Sequence, residues 1–350
     1  MVSVDVDEAA SYIAESLPGL ADDIDSRNRL GDDLLEGLRN AGTFRALRLG
    51  IRNIYGLIRL ASKWSPAVAH VIATSATVAF RIGREDGVYS LCVTELGGGS
   101  DVKGNLLTSA EDAGNEAIIR GEKAFASNGI YATHYLVLAN GSQGPTLYLV
   151  ERGPGVSVEA LDLFTFRGSG VSRVRFEGAR GRRVGTPGRG IREALEAINY
   201  ERLSYGSIGL GIMEGALEDA GPKALSKSIF GRELGEYQGV RWMLAELEVR
   251  AKLLESLMDA ALARAEAAGR VDPVDSIVAK VAGAELAQRS TWVAVQVMGG
   301  SGFTRGTRLE RLSRDARMLD IGAGAREVLY DYLGDHAVRR WRAGEGAGNP

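Results

Sequence analysis

The sequence has few of the residues that build covalent or metal-bound cross-links. Its 350 residues include one cysteine, Cys92, and three histidines that are far apart: His70, His134 and His336. A single cysteine excludes an internal disulfide framework and is typical of a reducing compartment. The histidines lack the spacing of metal ligands, so we expect no metal site and treat each as an ordinary core or surface residue.

Long apolar runs and an excess of one charge are also absent. No apolar run approaches the roughly 18 residues that crossing a bilayer requires. The acidic start has no basic segment followed by an apolar one, so we expect no signal peptide, no membrane span and a cytoplasmic location. The formal net charge of -3 disfavours binding to nucleic acid, which needs a basic surface.

The texture of the sequence changes twice along the chain. Residues 1–88 and 188–350 carry apolar side chains every three or four positions, which predicts helices. Residues 89–187 instead alternate short runs of β-formers with glycine-rich turns. The predicted strands are 117–120, 134–138, 146–150, 156–160 and 174–176. The pattern predicts an α+β multidomain protein with an N-terminal helical domain, a middle antiparallel β-barrel or sandwich, and a C-terminal helical bundle.

Proline and glycine predict several helix ends. We expect the buried helical segment 61–80 to break near Ser65-Pro66. Asp272-Pro273 predicts a helix start, and this helix should end at about Met298, before Gly299-Gly300. Gly221-Pro222 should kink a helix, and the glycine-rich tail 343–350 should fray.

The most unusual local segment is L-C-V-T-E-L-G-G-G-S-D at 91–101. Three consecutive glycines allow the backbone to approach a ligand closely, and Thr94 and Ser100 add hydroxyls. A bare glycine triplet is also typical of a flexible turn. The segment is not a phosphate-binding loop, because no Gly-Lys-Ser/Thr follows it.

Five segments together resemble the acyl-CoA dehydrogenase family. The first two are V-T-E…G-S-D at 93–101 and G-E-K-A-F-A-S-N-G at 121–129. The other three are F-G…Q at 230–238, Q-V-M-G-G-S-G-F at 296–303, and R-D-A-R…I…G at 314–324. They occur in the family's order, two in the β-rich region and three in the C-terminal helical region.

The resemblance implies an FAD enzyme whose C-terminal domain is a four-helix bundle and whose flavin lies between that bundle and the β-domain. It implies that Phe125 stacks beside the isoalloxazine and that Ser127 bonds near flavin N5. The implied ring contacts are Leu91, Val93, Thr94, Gly99, Ser100, Phe125 and Ser127. The implied adenine and pyrophosphate contacts are Lys227, Phe230, Gln238, Gln296, Val297, Gly299 and Gly300, with Glu327 as a further cofactor position. Part of this second set would act across a subunit contact, which implies a homo-oligomer, a tetramer or a dimer.

The reaction that the resemblance implies is α,β-dehydrogenation of an acyl-CoA, which needs a base near the α-carbon and stabilisation of the thioester oxygen. Most of the family carries the base after the R-D-A segment, where this chain has Ala323. The isovaleryl-CoA and long-chain branches instead carry a glutamate before an arginine on the first long C-terminal helix, which matches Glu201-Arg202. The resemblance therefore implies Glu201 as the base and favours a short or branched acyl chain, as in fatty acid or branched-chain amino acid catabolism. The implied substrate contacts are Ser100, Asn199, Arg202, Ala323 and Gly324.

Three functions stay open from the sequence. The first is the dehydrogenase, with an electron-transfer flavoprotein as electron acceptor. The second is a flavin-dependent monooxygenase of the same fold, which would need no thioester base. The third is a divergent non-catalytic flavoprotein, in which Glu201 is an ordinary solvated carboxylate.

Overall fold

A computed structural model describes residues 6–343. The chain folds as a set of helices, a β-domain and a second set of helices, as predicted from the sequence. The first helices are α1 (Val6–Arg27), α2 (Asp32–Asn40), α3 (Ala46–Leu49), α4 (Ile51–Ser62) and α5 (Pro66–Ile82). The predicted boundaries at 88/89 and 187/188 remain predictions, and residues 344–350 of the tail expected to fray lie outside the described part.

Helix α5 is the most deeply buried helix of the first set. The Ser65 hydroxyl accepts a bond from Val68 N at 3.3 Å, and Pro66 occupies the first turn. This cap confirms the predicted break before Pro66. Every residue from 66 to 79 is buried, because α5 packs against α4, β1 and the first long C-terminal helix.

The middle region is a small barrel. Its strands are β1 (Tyr89–Cys92), β2 (Ser109–Ala113), β3 (Glu116–Ala126), β4 (His134–Gly141), β5 (Gly144–Glu151), β6 (Val156–Ala160) and β7 (Ser172–Arg183). Strands β4, β5, β7, β3 and β2 pair in that order, and β2 returns to β4, which closes a ring. Most pairs are antiparallel as expected, but β1 and β2 each pair with β4 in parallel.

The remaining elements form the bundle, together with the two-stranded hairpin of β8 (Ser228–Ile229) and β9 (Arg232–Glu233). Its helices are α6 (Gly190–Ser226), α7 (Gln238–Ala268), α8 (Pro273–Met298), α9 (Arg308–Ile321) and α10 (Arg326–Arg342). Helices α6 to α9 pack on one another as four neighbours. The predicted start and end of α8 are confirmed: Asp272 caps it and Gly299 follows it with φ 65°. Gly221-Pro222 does not end α6, which continues to Ser226.

Residues 6–343 include neither a helix able to span a membrane nor a metal-binding cluster. No helix there has the length and apolar content needed to cross a bilayer. No group of three or more His, Cys, Asp or Glu side chains is arranged to hold a metal ion.

Candidate active site

The carboxylate of Glu201 lies in the interior, on the fourth turn of α6. Only 6% of the residue is exposed, so it is not an ordinary solvated helix carboxylate. Thr74 Oγ1 donates to Glu201 Oε1 at 3.4 Å, and His70 Nε2 lies 3.3 Å from the same oxygen. Both partners come from α5, so the contact between α5 and α6 creates the surroundings of this carboxylate.

Two buried tyrosines, one on α6 and one on α4, lie close enough to Glu201 for its carboxylate to affect their pKa values. Burial raises the pKa of Tyr205 well above its usual value, and the negative charge of Glu201 raises it further. The pKa of Tyr55 on α4 is raised by burial, with smaller contributions from Tyr200 and Glu201. Both phenols therefore stay neutral at any working pH, so neither tyrosine supplies an anion to this pocket.

Four of the five predicted substrate positions come together around the same turn of α6. Arg202 Nε donates to Ala323 O at 2.9 Å, and Arg202 Nη1 donates to Asn199 Oδ1 at 3.2 Å. A Cβ on Gly324 would lie 3.4 Å from Arg202 Nη2. The fifth position, Ser100, is exposed on the β-domain and shares no hydrogen bond or ion pair with this group among the described residues.

A buried lysine, which sequence reasoning missed, holds the same loop. Lys280 on α8 donates to Asp320 O at 2.9 Å and to Gly324 O at 2.8 Å. Burial lowers the pKa of Lys280 to about 8. Ala323 lies between these anchored carbonyls with φ 56°, in the left-handed region that non-glycine residues seldom adopt. The one sequence signal that could have indicated Lys280 is the presence of a lysine within an apolar helical segment.

The first two sequence motifs meet through a buried ion pair. Lys123 Nζ lies 2.7 Å from Glu95 Oε1, and Leu107 N and Thr108 N donate to the same carboxylate at 2.8 Å and 3.0 Å. Burial alone would raise the pKa of Glu95, but the hydrogen bonds from Lys123 and Thr108 outweigh it and lower the pKa. Glu95 is therefore a structural residue that fixes the loop after β1.

This loop and strand β3 present the predicted flavin-ring residues. Ala124 N donates to Thr94 O at 2.9 Å, and a Cβ on Gly99 would lie 3.1 Å from Thr94 Oγ1. Phe125 has φ 52° and is 60% exposed, so the strand turns an apolar ring outward in a costly conformation. Ser127 is half-buried and follows it, whereas Leu91 and Val93 lie in the core beneath.

The predicted adenine and pyrophosphate residues form a second group, on the bundle. The amine of Lys227, three residues before the third motif, would lie 3.4 Å from a Cβ placed on Gly299 in the fourth motif. Phe230, at the tip of the β8–β9 hairpin, is 95% exposed. Gln238, Gln296 and Gly300 are exposed on the bundle and Glu327 is exposed on α10, whereas the side chain of Val297 is buried in the bundle core.

The residues present fit a flavin dinucleotide. At the first group, the missing side chain of Gly99, the hydroxyls of Thr94 and Ser127, and the outward ring of Phe125 suit a flat heteroaromatic ring. At the second group, a lysine beside a glycine pair suits a pyrophosphate. Two surface clefts of about 630 Å³ and 950 Å³ contain none of the predicted site residues.

Comparison with family models assigns most of the chain. The acyl-CoA dehydrogenase middle domain matches residues 90–179, and the acyl-CoA dehydrogenase C-terminal domain matches residues 188–338. These two stretches contain the motifs and all of the predicted site residues.

Individual relatives agree with this assignment. A short-chain-specific acyl-CoA dehydrogenase of Clostridium acetobutylicum is 31% identical over 70% of this chain and 66% of its own length. A mitochondrial isovaleryl-CoA dehydrogenase of Oryza sativa subsp. japonica is 31% identical over 71% of this chain and 62% of its own length. The chain thus matches slightly less than two thirds of the length of each.

Solved structures support the same fold. Butyryl-CoA dehydrogenase from Megasphaera elsdenii superposes with a TM-score of 0.87 at 22% identity, over 95% of this chain and 97% of that one. A chain from a structure described as the electron transferring flavoprotein of Acidaminococcus fermentans has a TM-score of 0.88 at 22% identity, over 95% of this chain and 97% of that one.

Proposed function

Because the chain belongs to the acyl-CoA dehydrogenase family, we propose that it removes two hydrogens from an acyl-CoA thioester in a flavin-dependent reaction, with Glu201 as the base. The observation that carries the proposal is the buried carboxylate of Glu201, one residue before the arginine that holds Ala323. A buried carboxylate is held in a fixed position away from bulk water, which suits a base that must reach an α-carbon.

The residues of the α6 turn and the Ala323 loop have different roles in the proposed reaction. Glu201 takes the α-proton, and the N–H of Ala323 donates to the thioester oxygen, where negative charge develops. Arg202 and Lys280 hold the carbonyls around that N–H, so its direction is fixed before the substrate arrives. When bound, the flavin would accept the β-hydrogen as a hydride.

The finer assignments are supported by the sites described above. FAD is the proposed flavin, because a ring site on the β-domain and a lysine–glycine site on the bundle suit its two halves. A homo-oligomer, dimer or tetramer, would cover the exposed Phe230 beside the second site. A short or branched acyl chain, an electron-transfer flavoprotein as acceptor and a cytoplasmic location complete the proposal.

The test is anaerobic mixing of the purified flavoprotein with acyl-CoAs, with Glu201→Gln as the variant. The wild type should lose the absorbance of oxidised flavin, and Glu201→Gln should retain FAD but be reduced about 10²–10⁴-fold more slowly. Glu196→Gln is the matched control, because Glu196 is an exposed carboxylate on the same helix. Its reduction rate should equal that of the wild type.

The opposite results are equally clear. Normal reduction of Glu201→Gln would assign the base to another group. A wild type that no acyl-CoA reduces would refute the dehydrogenase, and substrate oxidation that requires oxygen would indicate the monooxygenase. Moving the carboxylate back, in Glu201→Gln with Ala323→Glu, should restore part of the rate.

A further inference from the structure

His70 is a buried imidazole with unsatisfied hydrogen-bonding capacity. It has no exposed surface, and neither ring nitrogen has an aligned hydrogen-bond partner among the described residues. Its Nε2 lies 3.3 Å from Glu201 Oε1, a distance short enough for a hydrogen bond but not aligned as one. Burying a polar ring in this way costs free energy, so its position beside the proposed base calls for an explanation.

The imidazole and a hydroxyl approach one oxygen of the carboxylate from the same side. Thr74 lies one turn after His70 on α5, so both side chains face the same way. Thr74 Oγ1 donates to Oε1 at 3.4 Å, the oxygen that His70 also approaches. The other oxygen, Oε2, accepts no hydrogen bond from residues 6–343, and it is the oxygen left for a proton from the substrate.

Neighbouring rings fix the orientation of the imidazole. The His70 ring centroid is 5.4 Å from that of Phe166 and 6.1 Å from that of Tyr205. Phe166 is itself anchored, because its N–H donates to the buried carboxylate of Asp315 at 2.7 Å. The imidazole therefore has little freedom to turn away from Glu201.

We propose that His70 is a positioning residue, which holds Glu201 Oε1 through its Nε2–H so that Oε2 faces the α-carbon. The inference rests on the proposed function. The α C–H bond breaks as an O–H bond forms at Oε2, the β-hydrogen leaves as hydride to the flavin, and a C=C bond forms. The proton passes from the α-carbon to Oε2 and not through His70, and a small shift of the imidazole would align its bond to Oε1.

The test compares three substitutions that differ in reach and chemistry. His70→Gln places an amide N–H near the position of Nε2, whereas the N–H of His70→Asn stops about one bond short. His70→Leu fills the space without a donor. His70→Leu and His70→Asn should lower the limiting rate of flavin reduction ten- to a hundredfold, because misplacing a reacting group by about 1 Å costs that much. His70→Gln should stay within about threefold of the wild type.

Substrate affinity and FAD content distinguish a loss of positioning from general disruption of the site. Both should stay within about threefold of wild type in all three variants, because the effect is on the reacting geometry alone. If His70→Leu does not fold, the comparison of His70→Gln with His70→Asn decides. Rapid reduction of His70→Asn or His70→Leu overturns the proposal, as does a His70→Gln that retains FAD but is as slow as they are. A wild type that no acyl-CoA reduces would instead refute the function itself.

Discussion

The buried pair of Glu95 and Lys123 offers the sharpest test of how the loop after β1 is held. Lys123 is fully buried, and its only anionic partner among the described residues is Glu95. The carboxylate accepts three donors, two at Oε1 and one at Oε2. In Glu95→Gln one of the two carboxylate oxygens becomes an NH₂ group, which must face one of these three donors. Lys123 also loses its counter-charge.

Breaking a buried ion pair from one side costs about 3–5 kcal/mol. Because about 1.4 kcal/mol is a factor of ten, opening of the loop and β3 should increase by about two to three and a half powers of ten. Native-state hydrogen exchange measures this directly, at the amides of Leu107, Thr108 and Ala124, which bond within this region. The bundle amides should show no comparable change.

Glu122→Gln is the matched control, one residue before Lys123 in the same motif. Glu122 pairs with Arg173 and Arg175 at the surface, so its loss should cost about 0–1 kcal/mol. Glu95→Gln with Lys123→Met should exchange more slowly than Glu95→Gln alone, because no uncompensated charge remains. Exchange in Glu95→Gln within threefold of wild type would refute this account of the loop.

Two further changes test the packing around the site. Burial raises the pKa of Asp315 from 3.8 to about 7, so the folded state binds this proton more tightly than the unfolded state. Its contribution to stability should therefore be complete below about pH 4 and decline by on the order of 4 kcal/mol as pH rises to 7. Asp315→Asn should flatten that decline in denaturant melts at several pH values. A Cβ on Gly209 would lie 2.7 Å from Gly283 O, so Gly209→Ala should lower the melting temperature by separating α6 from α8, whereas Gly56→Ala, with open space around it, should not.

Elements with strong local signals were predictable from the sequence. The start of α8 at Asp272-Pro273 and the start of α5 after Ser65 each combine a capping side chain with proline in the first turn. The prediction of β6 at 156–160 is confirmed to the residue. In these cases the local preferences and the tertiary packing favour the same structure.

Strands that depend on their partners were missed or shortened. The residues of β2, S-A-E-D-A, have low strand propensity, and this strand forms because it pairs with β3 and closes the barrel at β4. Gly121 suggested a turn after 120, but it lies inside β3, where a Cβ would come within 2.7 Å of Thr108 Cα. Tertiary contacts determine both the formation of β2 and the continuation of β3 through Gly121, and such contacts cannot be identified from one sequence.

The candidate site shows the same division between residues with a local sequence signal and residues that depend on tertiary contacts. The resemblance indicated the loop after β1, the region of Lys227 and Gly299 and the region of Arg202 and Ala323; the structure places Lys227 close to Gly299 and bonds Arg202 to Ala323. His70 and Lys280 carry no motif, because a lone polar side chain in an apolar helix is more often a satisfied core residue. Their significance depends on α5 and α8 reaching α6 and the Ala323 loop, which is a property of the fold.

The geometry of that loop accommodates an alanine at 323, the position at which the family resemblance implies a base in most members. Ala323 keeps its left-handed backbone because Arg202 and Lys280 hold carbonyls at 320, 323 and 324, and none of these bonds uses a side chain of the loop. A Cβ on Gly322 would lie 2.2 Å from the hydroxyl oxygen of Tyr205, so the loop also lies tight against α6. The N–H that we propose for the thioester oxygen is therefore held without any contribution from the side chain at 323. A carboxylate is free to come from α6 instead, provided that another element orients it, and α5 supplies that orientation through His70 and Thr74.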